Sequence, residues 1–173
     1  FVDHEDGAVD DILRKADSAM YQAKHSGRNT IRLFDPQMQA SLEARLLLEE
    51  DLKKALDKQE LEVFYQPQVD AQGRLIGVEA LTRWTHPQRG SISPAEFIPL
   101  AEESGLILQV GDFVLKHVAQ TLSKWAESDK LSGLTIAMNI SVHQLQQVDF
   151  VAQIAAFIKH YGFQPDRLKL ELT

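Results

Sequence analysis

The chain has 173 residues, 44% hydrophobic and 25% charged, which is the profile of a folded globular protein and excludes a disordered one. A formal net charge of −7 with no Lys/Arg block excludes a bulk nucleic-acid track, although one or two placed arginines suffice for a small phosphate ligand. With no cysteine, disulfides, thiolate zinc sites and cysteine nucleophiles drop out; with no apolar run long enough to cross a bilayer, a cytoplasmic segment is expected.

Residues 1–10 read as a loop. From Asp11 to His25, Leu13, Ala16, Met20 and Ala23 recur at helical spacing, and Gly27 stands where a left-handed C-cap is wanted. Arg28–Phe34 reads as a short strand. Asp35-Pro36 then supplies an N-cap and a first-turn proline for a charged amphipathic helix over Gln37–Lys58, with Leu42, Leu46, Leu48, Leu52, Ala55 and Leu56. Packing on its own domain and pairing with a second chain are both open to that stripe. Leu61–Val69 alternates as a strand, turns at Ala71-Gln72-Gly73, and returns as Arg74–Trp84, an antiparallel hairpin.

A loop over Thr85–Ser93 ends at Ser93-Pro94, the cap of a helix Pro94–Ser104 closed by Gly105. A second helix is expected from about Gly111 to Ser128, a strand over Leu134–Ser141, a helix over Asp149–Tyr161, and a last strand over Arg167–Thr173. Phe1 opens without a Met and Thr173 ends inside that strand, so the sequence reads as a piece of a longer chain.

The strands share one pattern. In Arg74–Trp84 one face carries Ile76, Val78, Ala80, Thr82 and Trp84; the other carries Glu79, Leu81 and Arg83. Ile136, Met138 and Ile140 oppose Thr135, Ala137, Asn139 and Ser141, and Leu168, Leu170 and Leu172 oppose Lys169 and Glu171. Each strand therefore has a greasy face for helices and a small or polar face bearing an oxygen ligand: Glu79, Asn139 or Glu171. Helices between strands make the sheet parallel beyond the hairpin, and curling it into a barrel lets the polar faces share an interior. Two carboxylates and an amide select a hard cation such as Mg²⁺, Mn²⁺ or Ca²⁺, and Arg83 stands ready for a phosphate oxygen. That combination points to phosphoester chemistry. The six histidines show no zinc-ligand spacing, and Ser141 lacks a nucleophile elbow. Trp84 and Trp125 read as core residues.

Glu79-Ala80-Leu81 with Thr82-Arg83-Trp84 resembles the signature of EAL-domain cyclic di-GMP phosphodiesterases. Tyr65-Gln66-Pro67, Ser93-Pro94-Ala95-Glu96-Phe97-Ile98-Pro99, Asn139-Ile140-Ser141 and Glu171-Leu172-Thr173 follow in the family's order. Ala16–Lys24 with Gly27-Arg28-Asn29 resembles the C-terminal tail of a GGDEF diguanylate cyclase domain. The resemblance implies three parts: a GGDEF-like tail over residues 1–35, a linker helix over 36–58, and over 59–173 the first half of an EAL-type (β/α)8 barrel, an α/β fold with an antiparallel first strand.

It further implies that Glu79, Asn139 and Glu171 hold a catalytic Mg²⁺ or Mn²⁺, with Glu79 catalytic. Gln66 and Arg83 would contact cyclic di-GMP, and Leu81, Pro94 and Phe97 would border it. Lys24 and Arg28 match positions that bind GTP phosphates. The reaction would be hydrolysis to pGpG. The family's consecutive aspartates, catalytic lysine and last glutamate are not found in these 173 residues, so this piece is expected to be inactive alone. Half a barrel leaves strand edges unpaired, so a homo-oligomer is expected. Two other readings stay open: a non-catalytic cyclic di-GMP receptor, and a dimerisation module built on Gln37–Lys58.

Overall fold

The structure, a computed structural model, describes residues 9–25 and 29–172, apart from the side chains of Asp10 and His25. The chain forms two compact units, Phe1–Glu50 and Asp51–Thr173. Among the described residues no helix is long and apolar enough to cross a membrane.

In the first unit, α1 (Val9–His25) begins two residues before its predicted start, and most of the loop expected before it lies outside the described residues, as does the Gly27 cap. Its expected apolar stripe is not the buried one: Leu13 and Met20 are exposed, while Ser18 is buried and returns its hydroxyl to Arg14 O at 3.0 Å. The strand expected over Arg28–Phe34 does not form among the described residues. A strand exists only as a partner in a ladder, and here Ile31 and Leu33 are left 91% and 79% exposed.

Helix α2 (Pro36–Lys58) starts as predicted, with Gln37 N donating to Asp35 Oδ1 at 2.9 Å. The division between the units falls inside this helix, so its last turns, with Leu52 and Ala55 fully buried, belong to the second unit.

The second unit is built on a five-stranded sheet of β1 (Leu61–Val69), β2 (Leu75–His86), β3 (Gly90–Ile92), β4 (Thr135–Ile140) and β5 (Leu168–Leu172). The order is β1-β2-β4-β5; β1 and β3 pair antiparallel with β2, whereas β2, β4 and β5 run parallel. This is the expected α/β arrangement, consistent with part of a (β/α) barrel. The loop expected over Thr85–Ser93 is instead a second hairpin, with Trp84 opposite Ile92 and His86 opposite Gly90.

The hairpin turn is tied by the Asp70 carboxylate, which accepts from Gln72 N and Arg74 N, both at 2.9 Å, and from Arg74 Nε at 2.7 Å. The Arg74 backbone N–H foremost, then the Arg74 side chain and Gln72 N–H, hold its pKa below the ordinary value of 3.8. A depressed carboxylate pKa contributes stability above the unfolded value and loses it as pH falls through the folded one. The Gln72 and Arg74 amide resonances are therefore expected to follow an acid titration whose midpoint lies below 3.8; a midpoint at or above 3.8 would contradict the tie.

Helices α3 (Pro94–Ser104) and α4 (Ile107–Ala126) cover one face of the sheet, with α6 (Phe150–Tyr161) beside them. Ser93 caps α3 through its hydroxyl and Gly105 closes it at φ 76°, as predicted. Helix α4 starts four residues before the expected Gly111, which turns out to be an interior residue. The core joins Val78, Ala80, Ile136, Met138 and Ile140 of the sheet to Val114, Val118 and Leu122 of α4. Transfer of such side chains out of water, about 1.5–3 kcal/mol each, is what holds this layer on.

Gly77 sets the spacing of β2 against β4. A Cβ there would stand 2.4 Å from Thr135 Oγ1 and 2.6 Å from Thr135 O, with backbone on one side that cannot yield. Gly77→Ala is expected to cost about 1–3 kcal/mol in urea unfolding; an unchanged midpoint would show that the two strands separate freely.

Candidate functional site

The sheet face turned away from α4 carries the expected residues. On it Gln66 of β1 lies level with Glu79 of β2, and Asn139 of β4 lies level with Glu171 of β5. The two pairs are offset by one pleat repeat, since Glu79 is level with Ala137. Asn139 Nδ2 bridges the offset by donating to Glu79 Oε1 at 2.8 Å. Gly77 and Ala137, small and buried, floor the same face. The polar side chains thus stand on a close-packed backbone surface.

β2 with Glu79 and β5 with Glu171 flank β4, the strand of Asn139, each about 4.8 Å away. Among the described residues neither carboxylate has an ion-pair partner. The two carboxylates and the amide, on three adjacent parallel strands, are all hard oxygen donors. The residues therefore fit a Mg²⁺ or Mn²⁺ ion. Among the described residues no three His, Asp or Glu gather as a metal cluster, so the amide is essential to this donor set.

Arg83, half-buried near the C-terminal end of β2, is level with Glu62 and spends one N–H on Thr82 O at 2.9 Å. Among the described residues the rest of its guanidinium fork has no partner and can meet an anion. Leu81 is level with Phe64, whose ring is 54% exposed on the same face. Phe64, which sequence reading did not single out, shares the face of Gln66 by strand alternation.

A cavity of about 360 Å³ opens where β2 and β4 end, with Thr82, Arg83, Pro94, Ile98, Asn139 and Ser141 in its wall. Pro94 lines this cavity together with Arg83 and Asn139. Phe97 does not: it is fully buried, its ring packed edge-on against Trp84 at 5.7 Å and 89°. The pairing of α3 with the sheet needs an apolar anchor, and Phe97 is that anchor. Lys24 is exposed in the first unit, and Arg28 lies outside the described residues.

A mixed sheet with helices on one face and oxygen-bearing side chains on the other, three of its strands parallel, is consistent with part of a (β/α) barrel. A model of the EAL domain matches residues 49–173, and the chain belongs to that family. It is 39% identical over 164 residues to the bifunctional diguanylate cyclase/cyclic di-GMP phosphodiesterase MucR of Pseudomonas aeruginosa, covering 94% of this chain and 24% of that protein. To the cyclic di-GMP phosphodiesterase PdeR of Escherichia coli it is 38% identical over 162 residues, covering 94% and 24%. The PaMucR phosphodiesterase, solved as a c-di-GMP complex, superposes with a TM-score of 0.69 at 38% identity, over 72% of this chain and 50% of that one. The chain spans about a quarter of the length of these two curated relatives.

Proposed function

We propose that the chain is part of a cyclic di-GMP phosphodiesterase that hydrolyses the cyclic dinucleotide to pGpG. Water oxygen bonds to one phosphorus, the P–O3′ bond to the ring's next ribose breaks, and the departing oxygen takes the proton. The observation that carries this reading is the bridged set of Glu79, Asn139 and Glu171 on three adjacent parallel strands. Bound there, Mg²⁺ or Mn²⁺ would polarise a phosphoryl oxygen and activate water. Arg83 would hold a phosphate oxygen, Gln66 would hydrogen-bond the dinucleotide, Leu81 and Phe64 would offer it an apolar platform, and Pro94 would border it. The activity is assigned to the whole protein; these residues supply its cation site and one wall of its ligand site.

Incubating the whole protein with cyclic di-GMP and Mn²⁺ is expected to yield pGpG, and chelation to stop it. Binding without turnover, unaffected by chelator, would make the protein a receptor instead.

The first 35 residues are proposed to be the tail of a GGDEF domain. In support, the alignment to MucR, which is named as a diguanylate cyclase as well, takes in 94% of this chain. The segment is proposed to work in the cytoplasm. Self-association of these 173 residues is proposed from the β5 edge, where Leu170 and Leu172 stand exposed. Light scattering of a stable monomer at high concentration would sink it.

A further inference from the structure

We propose that Gln144, a residue outside the ligand set, is a positioning residue that holds Asn139 against Glu79; its effect on cation binding rests on the function proposed above. The ladder between β2 and β4 runs from Gly77 opposite Thr135 to Ala80 opposite Met138. At Asn139 it has ended, yet Asn139 must still reach across to Glu79. Something other than strand pairing fixes that end of β4 on the β2 side.

The fastening is local. Ser141, two residues past Asn139, caps the short helix α5 (Val142–Leu145) through a reciprocal capping box. Gln144 Oε1 accepts from Ser141 N at 3.1 Å, and Ser141 Oγ accepts from Gln144 N at 3.3 Å. Both residues are buried. The Gln144 amide itself sits over the bare backbone of Gly111 in α4: a Cβ on Gly111 would lie 1.8 Å from Nε2 and 2.5 Å from Cδ. Gly111 thus opens a slot in the main core helix, Gln144 fills it, and the Ile140–Ser141 peptide is pinned to α4. Ser141 follows β4 directly, so fixing its backbone N–H restrains the strand end from which the Asn139 amide reaches Glu79.

The test uses the side-chain amide resonances of Asn139 in the metal-free protein, then a Mn²⁺ titration, each at a temperature where unfolding curves show the variant folded. Gln144→Met keeps the length and loses the acceptor. Gly111→Ala keeps Gln144 and closes its slot. Gln144→Glu keeps an acceptor oxygen towards Ser141 N. In the first two, the Asn139 side-chain amide is expected to exchange faster than in the unaltered protein, and Mn²⁺ affinity to fall about tenfold to 100-fold, as for other groups that orient a ligand. Gln144→Glu is expected to restore both. Unchanged Asn139 resonances in folded Gln144→Met would overturn the proposal. So would failure of every Gln144 variant to fold, since the residue would then serve the fold alone. Should the unaltered protein take up no Mn²⁺ while Asn139 still responds to Gln144, the cation assignment fails and the positioning role stands.

Discussion

Glu79→Gln is expected to leave the fold intact and to lower Mn²⁺ affinity by at least about 100-fold, with loss of cyclic di-GMP hydrolysis by the whole protein. The substitution keeps the side chain's shape and an oxygen able to accept the 2.8 Å bond from Asn139. It removes one of the two carboxylates proposed to hold the cation from either side of β4. Groups that merely orient a ligand are worth tenfold to 100-fold in metal affinity, so a direct carboxylate ligand is worth more. Titration with Mn²⁺ followed by paramagnetic relaxation checks the first part, and product chromatography the second. Retained affinity would show that Glu79 is an ordinary surface acid paired with Asn139, and the receptor reading would take the place of the hydrolase. Glu171→Gln should act in the same direction, because Glu171 faces Asn139 from the other side.

Much of this site could be read from strand alternation alone. The faces assigned to 75–84 and 135–140 are those observed, because an apolar residue at every second position leaves one orientation that buries them: Ile136, Met138 and Ile140 all lie in the core. Caps were legible for the same local reason, as Ser93-Pro94 and Gly105 show. Misreadings fell where geometry is set from a distance. Strand β3 is three residues long, too short for a period, and exists because β2 offers it an edge. The segment 29–34 alternates well and is not a strand, since nothing among the described residues pairs with it. Gly111 looked like a helix boundary by its low propensity, whereas it lies inside α4 to admit Gln144. A glycine kept for a partner 33 positions away leaves no local mark.

Phe97→Ala is expected to cost about 3–5 kcal/mol in stability and to leave the affinity of the folded fraction for cyclic di-GMP unchanged. The family resemblance put Phe97 beside the ligand; its full burial and its edge-on contact with Trp84 put it in the seam between α3 and β2. Emptying that position removes a large apolar side chain, leaves a cavity against an indole, and forfeits an aromatic pair worth about 0.5–1.5 kcal/mol. Native domains hold only about 5–15 kcal/mol in all, so the milder Phe97→Leu gives the cleaner test of binding. Chemical denaturation reads the stability and calorimetry the affinity. If Phe97 touched the ligand, Phe97→Leu would weaken binding more than it weakened the fold. For Arg83→Ala, by contrast, binding is expected to fall more than stability, because it removes a half-buried guanidinium from the cavity wall and takes little packing with it. The two variants together separate the anchor of α3 from the group proposed to meet the phosphate, though the two residues lie on neighbouring elements and belong to adjacent motifs.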